Sequence, residues 1–186
     1  MPEIGNCGVG KPEDKKRCKR MKRGEVEVIC GTGIARTALA IGRGVAALTR
    51  QKNVIMIQFL RGSHQEGLDV LKCMEPRFKV FRFEKADTYF EVLSEEEKRE
   101  ELLNIRNGFN FARKVIATGE CNLLILDGVL GVVERNIVGM EDFEKLINGK
   151  ADDMELILTG RSFPEQLRSY VDVISTIDYL EVDKGN

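Results

Sequence analysis

Short apolar segments and helical patterns alternate along the chain from residue 25 onward. The segment 25–30 (EVEVIC) alternates polar and apolar positions and contains β-branched side chains, which predicts a strand. Five further strands are predicted at 53–59, 78–83, 122–127, 154–158 and 171–177. Helices are predicted at 35–50, 94–119, 141–147 and 164–170. Short strands that are apolar on both faces and separated by helices indicate an α/β fold, with a mostly parallel, buried sheet and helices on both faces.

The longest predicted helix carries signals at both of its ends. Ser94 followed by Glu97 is the pattern of a capping box, in which each residue satisfies a backbone N–H of the other. Gly119 stands where a helix C-terminal cap belongs. Between them, apolar residues recur at helical spacing: Leu102, Ile105, Phe109, Ala112 and Val115.

The first 24 residues differ in charge from the rest of the chain. They contain eight basic residues, all between Lys11 and Arg23, against three acidic residues, so this segment carries +5 and the remainder −6. We therefore expect a basic N-terminal arm at 1–24 and a single α/β domain at 25–186. A basic arm on an acidic body predicts contact with an anionic partner or substrate; the alternative is a solvated arm without a binding role.

The overall composition excludes several classes of protein. A net charge of −1 argues against a strongly basic nucleic-acid-binding protein, and the lack of Trp with 6% aromatic residues argues against base-stacking platforms. Binding of nucleic acid through the arm stays only as a minor hypothesis. The apolar runs are shorter than the ~18–20 residues of a membrane span, and the start has no apolar signal-peptide region. We expect a cytoplasmic protein with no membrane partner.

Cysteine and histidine offer little chemistry in this sequence. The five cysteines have wide spacings and no C-x-x-C pair, so reduced structural thiols are expected: Cys7, Cys18, Cys30, Cys73 and Cys121. Capture of a metal or cluster by Cys7 and Cys18 in the arm is the alternative. His64 is the only histidine, which argues against a histidine relay or a multi-histidine metal site.

A glycine-containing turn leads from the first strand into the first helix. Such turns build phosphate-binding loops, because backbone N–H groups and the helix N-terminus face the anion. A cation and a hydroxyl complete the set here, since Arg36 would contact phosphate oxygens and Thr37 would hold Mg²⁺. The candidate nucleotide-binding residues of this loop are Gly31, Thr32, Gly33, Ile34, Ala35, Arg36, Thr37 and Ala38. The alternative is an ordinary strand–helix turn.

Two more candidates follow other apolar strands. Asp127 ends the run LLILD, which has the form of a Walker B strand and predicts a second Mg²⁺ contact beside Thr37. Arg161 follows the strand at 154–158 and is of the type that recognises phosphate; its alternative is a surface turn. Because ligands bind at the carboxyl ends of parallel strands, the three segments together predict a nucleotide phosphate site.

At this point the sequence resembles the P-loop type of corrinoid adenosyltransferase, in the same order over residues 24–176. Gly31, Gly33 and Thr37 match that family's Gly-x-Gly-Lys-Gly-Lys-Thr-Thr loop. The segment 58–62 (QFLRG) is similar to its Gln-Phe-Ile-Lys-Gly, and Asp127 matches the aspartate of its Leu-Asp-Glu. The segment 159–161 (TGR), with Pro164 and Asp172 downstream, is similar to its Thr-Gly-Arg region.

The resemblance implies a RecA-like P-loop NTPase fold and a homodimer. It also implies a reaction in which a Co(I) corrinoid takes the adenosyl group of ATP and triphosphate leaves, with Mg²⁺ as cofactor and an electron-donor flavoprotein as partner. Gln58, Arg61 and Asp172 are implied at the edge of the site, and the basic arm near the corrinoid. The alternative for these three residues is structural hydrogen bonding at the strand ends.

Several loop and strand-end positions depart from the family pattern. Ile34 stands at a family lysine, Ala35 at a glycine that would cost strain if its φ had to be positive, and Ala38 at a threonine. Arg36 replaces a lysine, and Gly128 replaces the glutamate after Asp127. The alternative to an active transferase is therefore a catalytically impaired paralogue that binds nucleotide, corrinoid or a protein without turnover.

Overall fold

A computed structural model describes residues 23–60, 69–86, 88 and 90–178. Its sheet has six parallel strands in the order β3-β2-β4-β5-β1-β6. The strands are β1 (Val26–Gly31), β2 (Val54–Gln58), β3 (Phe78–Arg82), β4 (Leu123–Asp127), β5 (Glu155–Gly160) and β6 (Val173–Ile177). The α-helices are α1 (Ala35–Thr49), α2 (Asp69–Lys72), α3 (Glu95–Thr118), α4 (Val129–Glu134) and α5 (Met140–Asn148). Short 3₁₀ helices span Phe90–Val92 and Glu165–Tyr170.

Helices cover both faces of the sheet, as the apolar strands predict. Successive side chains of a strand point to opposite faces, so Ile29 and Met56 pack in the core under α1, whereas Val28 and Ile57 pack in the core under α3, α4 and α5. The contact with α1 is close because Gly44 lacks a side chain: a Cβ there would lie 2.4 Å from the ring of Phe78.

The end signals of α3 are confirmed. The Ser94 hydroxyl accepts the backbone N–H of Glu97 while the Glu97 carboxylate accepts the N–H of Ser94, which is a complete capping box. Gly119 ends the helix in the left-handed conformation with φ +65°.

The structure differs from the sequence-based elements in five places. The helices α2, α4 and Phe90–Val92 lack a sequence prediction, and 164–170 forms a 3₁₀ helix over Glu165–Tyr170 instead of an α-helix. The helix α4 has no apolar–polar periodicity because residues 129–133 are all buried, so its pattern cannot be told from that of a strand. The strand β5 extends to Gly160, two residues beyond the predicted end.

The structure describes the chain from Arg23 onward, just before β1. Lys150 anchors this start, because its ammonium group donates to the carbonyl oxygens of Gly24 at 2.9 Å and Met154 at 2.8 Å. Burial is the main cause that lowers the pKa of Lys150. The predicted basic arm lies outside the described residues except for Arg23 and Gly24, as do Cys7, Cys18 and His64. In the described ranges, no helix has the length and apolarity to cross a membrane.

The described cysteines are free thiols. Cys30 and Cys121 are buried in the core, and Cys73 is exposed. Burial is the main cause that raises the pKa of Cys121 to about 12, so this thiol stays protonated.

Candidate functional site

Four polar side chains meet at the carboxyl edge of the sheet. Asp127, the last residue of β4, is fully buried and accepts hydrogen bonds at its carboxylate from three residues. The Thr37 hydroxyl donates to Oδ1 at 2.9 Å, the Thr159 hydroxyl donates to Oδ1 at 2.7 Å, and Gln58 Nε2 donates to Oδ2 at 3.4 Å. This arrangement is called the Asp127 cluster below.

The cluster follows from the topology of the sheet. Gln58, Asp127 and Thr159 come from the carboxyl ends of β2, β4 and β5, which are neighbours in the sheet. Thr37 comes from the first turn of α1, which crosses the same edge. Thr159 also accepts the backbone N–H of Gly128 at 2.8 Å, so its hydroxyl fixes both Asp127 and the residue that follows it.

The 31–37 loop joins β1 to α1 in a glycine-dependent conformation. Gly31 has φ +140°, and a Cβ there would lie 2.2 Å from the carbonyl oxygen of Ile177. Gly33 has φ +68°, in the left-handed region. Ala35 is the first residue of α1 and does not have a positive φ, so the alanine there carries none of the strain considered for a lost glycine.

The solvent side of this loop is formed by Thr32, Gly33 and Ile34, with Ala38 following in α1. Ile34, at the family's lysine position, is 57% exposed, so an apolar side chain faces solvent at the mouth of the loop. The first turn of a helix presents N–H groups that find their partners outside the helix, which suits an anion at this place.

Arg36 braces the loop from the helix side. Its Nη1 donates to the carbonyl oxygen of Gly31 at 2.7 Å. Arg36 also lies near Cys30: burial, followed by the charge of Glu134, raises the pKa of the Cys30 thiol, and the guanidinium partly opposes this. The cysteine beside the loop therefore stays a neutral thiol.

Asp172 lies at the opposite edge of the sheet, which corrects its prediction as a site-edge residue. Its carboxylate accepts the backbone N–H of Val26 at 2.8 Å, and Val26 is the first residue of β1, at the amino end of the strands. The side chain ties the chain before β6 to the start of β1, which is a structural role.

Arg161 follows β5 directly at the carboxyl edge, and its side chain is exposed. Its charge helps to lower the pKa of Glu91, after the larger effect of the hydrogen bond from Arg135. Arg161 thus lies on the side of the edge that faces the 3₁₀ helix at 90–92. Arg61 lies outside the described residues.

The donor set suits a magnesium ion bound together with substrate oxygens. Mg²⁺ prefers oxygen ligands and is commonly held by one or two protein oxygens plus phosphates and water. The Thr37 hydroxyl and the Asp127 carboxylate provide two such oxygens 2.9 Å apart. Within the part of the chain that the structure describes, no group of three or more His, Cys, Asp or Glu side chains could hold a metal ion.

Comparison with known proteins decides the family. Residues 22–181 match the model of the family described as ATP:corrinoid adenosyltransferase BtuR/CobO/CobP. The chain belongs to this family. Its corrinoid adenosyltransferase relatives from Escherichia coli K12 and Salmonella typhimurium, the latter named CobA, are each 22% identical over 156 residues, which is 84% of this chain and 77% of theirs.

The fold has a counterpart among solved structures. A KaiC-like protein from the archaeon Pyrococcus horikoshii superposes with a TM-score of 0.54 and 16% identity, covering 87% of this chain and 76% of that one. At this identity the likeness shows the fold alone. The predicted RecA-like P-loop architecture is confirmed for this corrinoid adenosyltransferase family member.

The sequence predicted Thr37, Asp127 and Gln58 at this edge of the sheet, and they are in contact there. It did not predict that Thr159 contacts Asp127. The signal was present, because Thr159 is a polar residue at the end of an otherwise apolar strand. The assignment of the loop residues, Arg161 and the Mg²⁺ ligands to nucleotide binding stays a prediction.

Proposed function

We propose that this chain transfers the 5′-deoxyadenosyl group of ATP to the Co(I) centre of a corrinoid and releases triphosphate. The cobalt–carbon bond forms with an electron pair of Co(I), and the bond between C5′ and the triphosphate oxygen breaks. The electron pair of that bond leaves with triphosphate, and cobalt rises formally to Co(III). The single observation that carries the proposal is the Asp127 cluster, which adjoins a glycine-dependent loop in a member of this family.

The side chains of this site suit a reaction that needs charge stabilisation rather than a general base. The oxygens of Asp127 are engaged as hydrogen-bond acceptors from three residues, which orients the carboxylate instead of exposing it to a substrate proton. Co(I) is itself a strong nucleophile, so the substrate brings the reactive electron pair. The task left to the protein is to align ATP and to stabilise the leaving triphosphate.

In the proposed complex, backbone N–H groups of residues 31–37 and the guanidinium of Arg36 bind the triphosphate, and Arg161 approaches it from the end of β5. Thr37 and Asp127 hold Mg²⁺, which when bound neutralises phosphate charge. The homodimer and the electron-donor flavoprotein remain predictions from the family resemblance.

The test is direct turnover with matched variants. The full chain is incubated with Mg-ATP and a chemically reduced corrinoid, and the adenosylated corrinoid and triphosphate are quantified together. Thr37→Val and Asp127→Asn should each abolish most of the rate. The control is Thr49→Val in the same helix, whose exposed hydroxyl donates only to the Ala46 carbonyl and should leave the rate unchanged.

Equal release of both products by the wild type supports the proposal. Binding of Mg-ATP, measured by calorimetry, without formation of either product would instead indicate the catalytically impaired paralogue.

A further inference from the structure

A groove of about 150 Å³ lies beside α1 at the amino edge of the sheet. It is lined by Val173 of β6, by Arg43 and Arg50 of α1, and by apolar side chains of β4 and β5. Glu25 and Glu155 also line it, and they stand where β1 and β5 begin. The groove is therefore at the opposite edge of the sheet from the Asp127 cluster.

Two carboxylates at the start of β1 have room for further hydrogen bonds in this groove. Glu25 and Glu27 are two residues apart, so they lie on the same face of the strand. Glu27 Oε1 accepts from Arg43 at 3.2 Å and from the Ser175 hydroxyl at 3.1 Å, whereas Oε2 has no donor among the described residues. The side chain of Glu25 is exposed and makes no ion pair in the described ranges. The groove thus offers two carboxylates that lack a full set of donors.

The other charges at this edge leave it acidic. Glu155 is matched by Lys52 at 2.6 Å and by Arg50 at 3.7 Å. Three further carboxylates precede β5 and β6 around Lys150: Asp152, Asp153 and Asp172. Acidic side chains therefore outnumber basic ones at the amino ends of β5, β1 and β6, which are neighbours in the sheet. Such an edge attracts a cationic partner.

The described part of the chain begins at this same edge. Arg23 and Gly24 come directly before Glu25, and the backbone N–H of Gly24 donates to the carbonyl oxygen of Asp152 at 2.6 Å. The preceding residues 1–22 contain seven of the eight basic residues of the arm. Because a chain spans at most ~3.5 Å per residue, a basic residue within five positions of Gly24 is no more than ~17 Å from it. The cationic segment is therefore attached beside the groove.

We propose that the basic segment 11–22 of this chain docks in the groove, with its lysine and arginine side chains against Glu25 and Glu27. An ammonium or guanidinium group brings the donors that these carboxylates lack, and its aliphatic stem covers the apolar floor. The 31–37 loop at the opposite edge contains Arg36 and no acidic residue, so it offers the segment no such match. The arm is thus held away from the Asp127 cluster, whereas the family resemblance implies a position near the corrinoid.

The natural cysteines allow a direct test on the full chain. Cys18 lies within the basic segment, and Cys30 and Cys121 are buried. After the substitutions Cys7→Ser and Cys73→Ser, a nitroxide attached to Cys18 removes the NMR signals of amide groups that lie close to it. The six residues of β1 separate the two edges of the sheet by about 20 Å, so the label distinguishes them.

At low salt the amide signals of Val173 and Ser175 should be lost, and those of Thr37 and Gly128 should remain. Salt at about 1 M should restore the lost signals, because it screens charges beyond roughly 3 Å. Glu25→Lys should lower the ratio of docked to undocked chain about fivefold, the value of one exposed ion pair.

The matched control is Glu75→Lys, an exposed acid before β3 at the same edge. The strand β3 is four strands away from β1, or about 19 Å, so this variant should keep the wild-type pattern. If Glu25→Lys fails to fold, the salt dependence of the wild type carries the test.

The inference is overturned if the signals of Thr37 and Gly128 are lost instead, if no amide signal is lost selectively, or if Glu25→Lys leaves the loss at Val173 unchanged. A mixture of nitroxide-labelled chain and separate isotope-labelled chain tests for a second copy. Loss of the Val173 signal in that mixture would assign the groove to the arm of another chain and overturn docking within one chain. Turnover reports separately on the proposed function, because none of these substitutions lies in its site.

Discussion

A Cβ atom built on Gly128 would lie 2.3 Å from the carbonyl oxygen of Phe59. Gly128 also has φ +84°, and the backbone N–H of Phe59 donates to the carbonyl oxygen of Asp127 at 2.8 Å. The chain after β2 is therefore packed directly onto the chain after β4. The family resemblance places a glutamate at this position, and this backbone has no room for one.

Gly128→Ala and Gly128→Glu should both destabilise the protein. The left-handed conformation alone costs a non-glycine residue about 1–2 kcal/mol, and the approach of Phe59 adds to this. Urea unfolding followed by circular dichroism measures the change. The control is Gly42→Ala, in the exposed middle of α1 with nothing within 4 Å of the new methyl group, which should stabilise by about 0.5–1 kcal/mol. Equal stability of Gly128→Glu and wild type would contradict the packing described.

Thr159 should act as a positioning residue for Asp127. In Thr159→Val the carboxylate loses a donor at 2.7 Å and the Gly128 N–H loses its acceptor, a change worth about 1–3 kcal/mol of stability. The Mg²⁺ concentration needed for half-maximal ATP binding should rise about tenfold, because the carboxylate is no longer held in place. Thr159→Ser keeps the hydroxyl and should need the same Mg²⁺ concentration for half-maximal ATP binding as the wild type. If Thr159→Ser behaves like Thr159→Val, the hydroxyl does not position Asp127.

Arg36→Ala should remove most of the turnover and weaken ATP binding. The substitution deletes a proposed phosphate ligand and also the brace to the Gly31 carbonyl. Arg43→Ala on the same helix is the matched control. Arg43 forms an exposed ion pair with Glu27 at 3.2 Å, so its loss should change stability by less than about 1 kcal/mol and leave ATP affinity as it is. Calorimetric titration of both variants with Mg-ATP separates these outcomes, and unchanged affinity in Arg36→Ala would exclude the assigned role.

Ser94→Ala should fray the start of α3. It should also make the free energy of unfolding depend less on pH in the acidic range. Loss of a helix N-cap costs about 1 kcal/mol. The hydrogen bond with the Ser94 side chain is the largest cause that lowers the pKa of Glu97, so in the variant this pKa should rise toward its ordinary value. Because the pKa of Glu97 is lower in the folded protein than in the unfolded chain, this residue stabilises the fold above the unfolded pKa, near pH 4. The stabilisation disappears as the pH falls through the folded-state pKa. Carboxyl titration by NMR measures the pKa of Glu97 in both proteins. The free energy of unfolding, measured at pH 7 and pH 2.5, should differ less between variant and wild type at the lower pH.

The elements that sequence reasoning located well are those whose signal is local. The strand alternation of 25–30, the capping box at Ser94 and the cap at Gly119 depend on neighbouring residues, and the structure reproduces all three. The proximity of Asp127 and Thr37 was predicted because the carboxyl ends of parallel strands lie at one edge of a sheet, and the structure confirms it.

The errors have a common physical origin in contacts between distant segments. The family resemblance implied Asp172 at the edge of the site, yet the register of β6 against β1 sets it at the amino edge. Thr159 contacts Asp127 only because β4 and β5 are neighbours, which the chain order does not reveal. Glu101 looks like one more acid in a solvated helix start, and its burial depends on the segment 85–86 folding over α3.

The hydrogen bond from Arg36 to the Gly31 carbonyl affects how well the 31–37 loop is ordered before a ligand binds. A guanidinium carries five N–H donors in a rigid planar fork, and one of them holds the Gly31 carbonyl at 2.7 Å. The amine of a lysine lacks this planar geometry. We therefore expect this hydrogen bond to order the loop when the protein folds, so that less conformational entropy remains to be lost if a ligand binds there.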